Sequence, residues 1–120
     1  MNASIVYKAN VKDNVLDELA RELPAIIAEV MDVPGGNLAR LSPEQVSMIF
    51  AQASSRDVGS DIRIMAFAKS NAPRKSTEID RANAILEKIV ALNSNCGEQH
   101  SVDVRLYLLE IGAAEHALSA

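Results

Sequence analysis

Lys69 and Arg74 are the residues of this chain whose types and spacing best suggest chemistry. Lys69 precedes and Arg74 lies within a short polar stretch, Ser70 to Lys75, between an apolar run and a helix-like pattern beginning near Thr77. A helix amino terminus carries partial positive charge, and arginine offers a planar pair of donors that matches the two oxygens of a carboxylate. The spot therefore suits a small organic acid. The same residues also read as solvated loop cations or salt-bridge partners, since exposed charges seldom mark a function. Residue types alone leave both readings open.

Other reactive types are less well arranged. Cys96 and His100 stand four apart in a Gly- and Asn-rich loop, where that spacing does not set them on one helix face. An ordinary loop cysteine is expected there, ahead of a nucleophile or metal ligand. His116 beside Glu115 reads as a solvated surface pair. Arg63, Asp103 and Arg105 interrupt apolar strands, where ion pairing across a subunit boundary is expected and a pocket wall is the alternative. No zinc-ligand cluster, phosphate loop, dinucleotide fingerprint or nucleophile elbow is found, so no metal and no cofactor is expected.

Composition bounds the rest. A chain of 120 residues and 12.9 kDa makes one domain, 1–120. At 48% hydrophobic and 23% charged residues it is too apolar to stay disordered. Aromatics are 3% with no Trp, so the core must be Ile, Leu, Val, Ala and Met, and stacking platforms for bases are lacking. Twelve basic against sixteen acidic residues give a charge of -4 with no cluster that could neutralise a row of phosphates, so nucleic acid is not an expected partner. Ile64 to Ala68, the longest apolar run, falls far short of the roughly 20 residues that span a membrane, and no membrane contact is expected. The start Met1-Asn2-Ala3-Ser4 has neither the basic residues nor the apolar stretch of a secretory signal. With Cys96 as the one cysteine, no internal disulfide is possible, and a cytoplasmic setting is expected.

Periodicity supplies the elements that must position Lys69 and Arg74. Ala3–Ala9 alternates as a strand. From Asp13, with Asp13 or Asn14 as N-cap, the residues Leu16, Leu19, Leu23, Ile26, Ile27 and Val30 form a helical stripe. Pro24 should kink or restart that helix, and Pro34-Gly35-Gly36-Asn37 marks its exit. Leu41-Ser42-Pro43-Glu44 suits one helical turn. Val46–Ala53 and Asp61–Lys69 read as strands, and Ser70–Lys75 as a polar loop. A second helix is capped by Thr77, with Ile79, Ala82, Ile85, Leu86, Ile89 and Val90 as its buried stripe, and Val102–Ile111 is a fourth strand. The order is β-α-β twice over, with Ile5 and Ile62 separated by nearly the same stretch as Val46 and Val104, which points to pseudo-repeats 1–58 and 59–120. Right-handed crossovers put both helices on one face of a four-stranded sheet in an α+β fold. The other face is also apolar, so an oligomer is expected to bury it.

This arrangement resembles the tautomerase superfamily, including 4-oxalocrotonate tautomerase and, nearest in length, trimeric isomerases of the 5-carboxymethyl-2-hydroxymuconate isomerase kind. The resemblance covers most of the chain. It is best in Gly59-Ser60-Asp61-Ile62-Arg63-Ile64-Met65-Ala66-Phe67-Ala68-Lys69, followed by Arg74 and the second helix, and looser through Leu16-Asp17-Glu18-Leu19 and Pro43-Glu44-Gln45-Val46. It implies a homotrimer in which Arg74 takes the place of a substrate-binding arginine. Lys69 falls near a second cation found in the chloroacrylic acid dehalogenases.

The family's base is an amino-terminal proline, and this sequence departs from it. Asn2 is too large for removal of the initiator methionine, so the base implied here is the Met1 amine. Lost solvation and nearby cations both favour the neutral form of an amine, which is the form a base needs. The activity implied is keto-enol isomerisation of a small 2-oxo or unsaturated carboxylate. Without the proline, a non-catalytic ligand-binding or structural protein is the alternative. A ferredoxin-like small-molecule-binding module is a third reading, because it shares the element order but interleaves the strands of its two halves.

Overall fold

Alternation produces the first strand. In β1, Asn2–Tyr7, Ala3 and Ile5 are buried while Asn2 and Ser4 point to the opposite face. The computed structural model describes residues 1–35 and 40–118, so Gly36 and Asn37 of the expected helix exit lie outside the described residues. With β2 (Ser47–Gln52), β3 (Ile62–Lys69) and β4 (Val102–Leu109), β1 forms a sheet of order β2-β1-β3-β4. β1 is parallel to β2, β3 is parallel to β4, and the central pair β1 and β3 is antiparallel. Each half thus keeps its own strands side by side. That order excludes the interleaved ferredoxin-like sheet.

Register explains which face is covered. Ala3 lies opposite Ala66 and Ile5 opposite Ile64, and these four residues point toward α1 (Asp13–Met31) and the later long helix, where all are buried. Helix α1 presents Val15, Leu19, Leu23, Ile27 and Met31, each four residues after the last and each fully buried. Burial of such side chains contributes roughly 2 kcal/mol apiece, enough to hold the helix together through Pro24. The expected restart at Pro24 does not occur, and α1 continues to Met31. One missing amide bond is outweighed by Leu19 and Leu23 on one side of the proline and Ile27 on the other.

The stretch 70–75, expected as loop, contains a short helix, α2 (Ala72–Ser76). Its N-cap is Asn71, whose side chain accepts the Arg74 amide at 2.9 Å, and Pro73 presets the first turn. Helix α3 (Glu78–Asn95) follows. Ile85, Ile89 and Leu92 form its buried stripe, whereas Ile79 is 73% and Val90 49% exposed, against expectation. Val90 sits about 100° round the helix from Ile89, on a side that is only half covered.

At the far end of β1, Asp61 ties three strand ends together. Its carbonyl accepts the Lys8 amide at 2.9 Å, its own amide donates to Ser101 Oγ at 2.8 Å, and its carboxylate lies 3.3 Å from His100 Nδ1. Just before it, Gly59 has φ +140, a conformation that side chains disfavour, while its Cβ position would meet only ordinary contact with Arg63. Gly59→Ala should therefore lower stability by about 1 kcal/mol through backbone strain. Urea denaturation measures this, and an unchanged midpoint would contradict it.

The sheet face away from the helices is bare. Ile49, Tyr107 and Leu109 are exposed there, and Phe67 stacks on Tyr107 with centroids 5.1 Å apart and planes 13° from parallel. β4 ends at Leu109, two residues earlier than expected, and residues 110–118 continue as exposed chain without regular structure.

Candidate active site

Lys69 is the last residue of β3, and its side chain is exposed. The chain then turns through Asn71 and α2, which aims Arg74 inward. Arg74 is only 6% exposed; its Nε donates to Met31 O at 3.1 Å and its Nη1 to Lys69 O at 3.0 Å. It thus joins the end of β3 to the carboxyl end of α1. Arg81, a residue that sequence reasoning missed, adds donations from Nη1 to Val30 O at 2.6 Å and Asp32 O at 3.3 Å. Helix α1 has no basic residue in its own last turn, so the two arginines supply the donors its terminal carbonyls need. Burial above all, and then the Arg81 charge, pushes the Arg74 pKa down, while Asp32 opposes the shift. One signal of Arg81's role was available. A cation in the first turn of α3 opposes the helix dipole unless it has a partner elsewhere.

Met1 arrives at the same end of the sheet. Because β1 and β3 are antiparallel and Asn2 lies opposite Phe67, the residue before Asn2 falls at the Ala68–Lys69 end of β3. The Met1 carbonyl accepts the Ser47 amide at 2.9 Å and its amine donates to Gln45 O at 3.2 Å, while its side chain packs on the core. Gln45 is fixed by a capping box, in which its Oε1 accepts the Ser42 amide at 2.9 Å. One pole of the sheet therefore gathers an amine, an exposed ammonium and a buried guanidinium. Such a set attracts anions, and its amine, when neutral, can take a proton. A groove of about 330 Å³, lined by Asn2, Ala3, Ser4, Ser47, Ile49 and Phe67, opens on the bare face at this pole.

The remaining candidates go elsewhere. His100, with a side chain 5% exposed, pairs with Asp61 at the opposite pole, and Cys96 caps α3 half-buried. Within the chain, Arg63 pairs with Asp57, and Arg105 with Asp103 at 3.4 Å. They share a cavity of about 360 Å³ with Met65 and Tyr107. Among the described residues, no group of three or more His, Cys, Asp or Glu could hold a metal ion, and no helix is long and apolar enough to cross a membrane.

No protein-family profile matches the chain, and no curated protein matches it in sequence. Solved structures do match it in shape. A fused 4-OT, described as a wild-type asymmetric trimer, superposes with a TM-score of 0.67 at 11% identity over 94% of this chain and 92% of its own. A malonate semialdehyde decarboxylase inhibited by 3-bromopropiolate gives 0.68 at 10% identity over 100% and 92%. A macrophage migration inhibitory factor-like protein from Entamoeba histolytica gives 0.58 at 14% identity over 91% and 88%. The chain has the tautomerase-superfamily fold. At these identities the likeness is one of fold. Within the tautomerase fold of this chain, Met1 immediately precedes the central strand β1 and Lys69 ends its antiparallel neighbour β3. The residue after Met1 is Asn2, and no proline stands at either position.

Proposed function

We propose that residues 1–120 act as one tautomerase-like unit of two repeats, 1–58 and 59–120, that assembles as a homotrimer and isomerises a small 2-oxo or unsaturated carboxylate. The observation that carries this reading is the antiparallel β1–β3 register, which brings Met1 to the Lys69 end of the sheet. Lys69 holds the substrate carboxylate, and Arg74 adds charge from beneath while fixing the turn. The neutral Met1 amine removes a proton from the carbon next to the carbonyl, and the resulting ammonium returns it to the other end of the enolate. The exposed Ile49, Tyr107 and Leu109 on the bare face support the trimer, as do the fused 4-OT neighbours described as symmetric and asymmetric trimers. A single cysteine fits the cytoplasm as the working compartment.

The test is a panel of enols and 2-oxo carboxylates followed by ultraviolet absorbance, using protein whose mass shows that Met1 is present. Parent protein should turn over at least one of them. Lys69→Gln should raise KM about 10-fold, and amino-terminal acetylation should abolish turnover. Full activity after acetylation would remove Met1 as the base. The Met1 amine is engaged by Gln45 O at 3.2 Å, and this supports a second reading as a non-catalytic carboxylate-binding protein. Carboxylate binding without turnover across the panel would favour that reading.

A further inference from the structure

Two arginines on the bare face line a cavity that the proposed reaction does not use. Arg63 faces Asp103 across the β3–β4 ladder and Arg105 faces Met65, which makes the two arginines diagonal neighbours on one side of the sheet. Their cavity of about 360 Å³ falls in the size range of small-molecule pockets, and Val6, Val58, Met65 and Tyr107 give it apolar walls. Neither arginine is fully spent on its acid. Asp57 takes Nη2 of Arg63, while Arg63 Nε is buried with no acceptor among the described residues. Gly59, which also lines the cavity, puts no side chain beside that donor; a Cβ there would stand 3.7 Å from it. Asp103 meets Arg105 through Nε at 3.4 Å, beyond the usual hydrogen-bond range, and the Arg105 side chain is 66% exposed.

We infer that this cavity binds a small monocarboxylic acid with an apolar, ring-sized body, its carboxylate between Arg63 and Arg105 and its body against Val58, Met65 and Tyr107. Within the walls two guanidinium charges meet one carboxylate, Asp103, because Asp57 pairs with Arg63 from outside the lining. That balance suits a single negative charge, and Asp103 repels a second acid group. A carboxylate matches the fork of an arginine, and its oxygen gives the buried Arg63 donor the acceptor it lacks. The cavity has room for about a dozen waters at ~30 Å³ each, ample for a molecule the size of benzoate. The site is separate from the Met1 pole: Arg63 and Lys69 stand six residues apart on β3, about 20 Å along the strand. The inference therefore holds whether or not that pole is catalytic.

Benzoate is the probe, titrated into the isotope-labelled whole chain and followed through the backbone amide signals of Arg63, Met65 and Arg105 by NMR. These signals should shift together and saturate. Arg105→Gln, which alters an exposed side chain, should weaken benzoate at least 10-fold at the remaining signals, whereas Lys69→Gln should leave it unchanged there. Val58→Asp, at a position 85% exposed on the cavity wall, should weaken it as well by repelling the carboxylate. Benzyl alcohol, similar in size but uncharged, should bind at least 10-fold more weakly than benzoate. Shifts confined to the signals of Asn2 and Lys69, or no saturable shift at any signal, overturn the inference. Equally tight binding to folded Arg105→Gln does the same. Inorganic phosphate binding as tightly as benzoate also overturns it, because the apolar walls then contribute nothing.

Discussion

Arg74→Ala lowers the unfolding free energy by about 3 kcal/mol and the melting temperature by about 10 °C. The guanidinium donates to Met31 O and Lys69 O from a nearly fully buried position. Each donation from a charged group contributes about 1.5 kcal/mol or more. Alanine leaves both carbonyls without that donor and opens a space that the tightly packed end of α1 cannot collapse to fill. Urea titration of the variant beside the parent measures the loss. A change under 1 kcal/mol would mean that neighbouring groups satisfy the carbonyls. This expectation governs how activity data are read, since a dead Arg74→Ala protein reports on the end of α1 before it reports on a ligand. Lys69, exposed and outside the core, is the cleaner probe of carboxylate binding.

If the proposed homotrimer is sealed on the bare face, Phe67→Asp should leave monomers of about 12.9 kDa, with association weakened at least 1000-fold. Phe67 stacks on Tyr107 on the bare face near the Lys69 end of β3 and points away from the helices. A carboxylate there costs the isolated protomer little, because water reaches it, yet it must be desolvated without a partner once a second copy covers the face. Sedimentation equilibrium measures the effect, and an unchanged far-ultraviolet spectrum shows that the protomer is intact. Assembly of the variant at parental concentrations would place the interface elsewhere. Ala66, one residue earlier, faces the helices, and aspartate at that position should unfold the chain instead.

The strands and long helices were legible because period-two and four-residue spacings follow from which face is buried. Ile5 and Ile64, or Leu19 and Leu23, announce themselves by position. What failed depended on neighbours that the pattern cannot name. Ile79 and Val90 match a helical stripe as well as Ile85 does, but the sheet and α1 cover only one side of α3. Helix α2 is five residues long, too short for a period to show, and hangs on the Asn71 cap. At the candidate site, the approach of Lys69 and Arg74 was readable because they are close in sequence. Arg74's partner Met31 O is 43 residues away and Arg81's partner Val30 O is 51 away, and both are backbone carbonyls, which every residue possesses and no sequence pattern marks.

The central place of β1 also bears on how the chain is made. Its six residues pair with β2 at residues 47–52 and with β3 at residues 62–69, both of which are made after it. One edge of the strand must therefore wait for residue 52 and the other for residue 69, past the middle of the 120 residues. A sheet completed from its middle by late-arriving flanks is slow to close, and a nascent chain carrying Ile5 and Val6 on an unpaired strand is exposed to mispairing in the interval. Chaperone demand during synthesis should fall sharply once Lys69 has emerged, because only then is the strand enclosed on both sides.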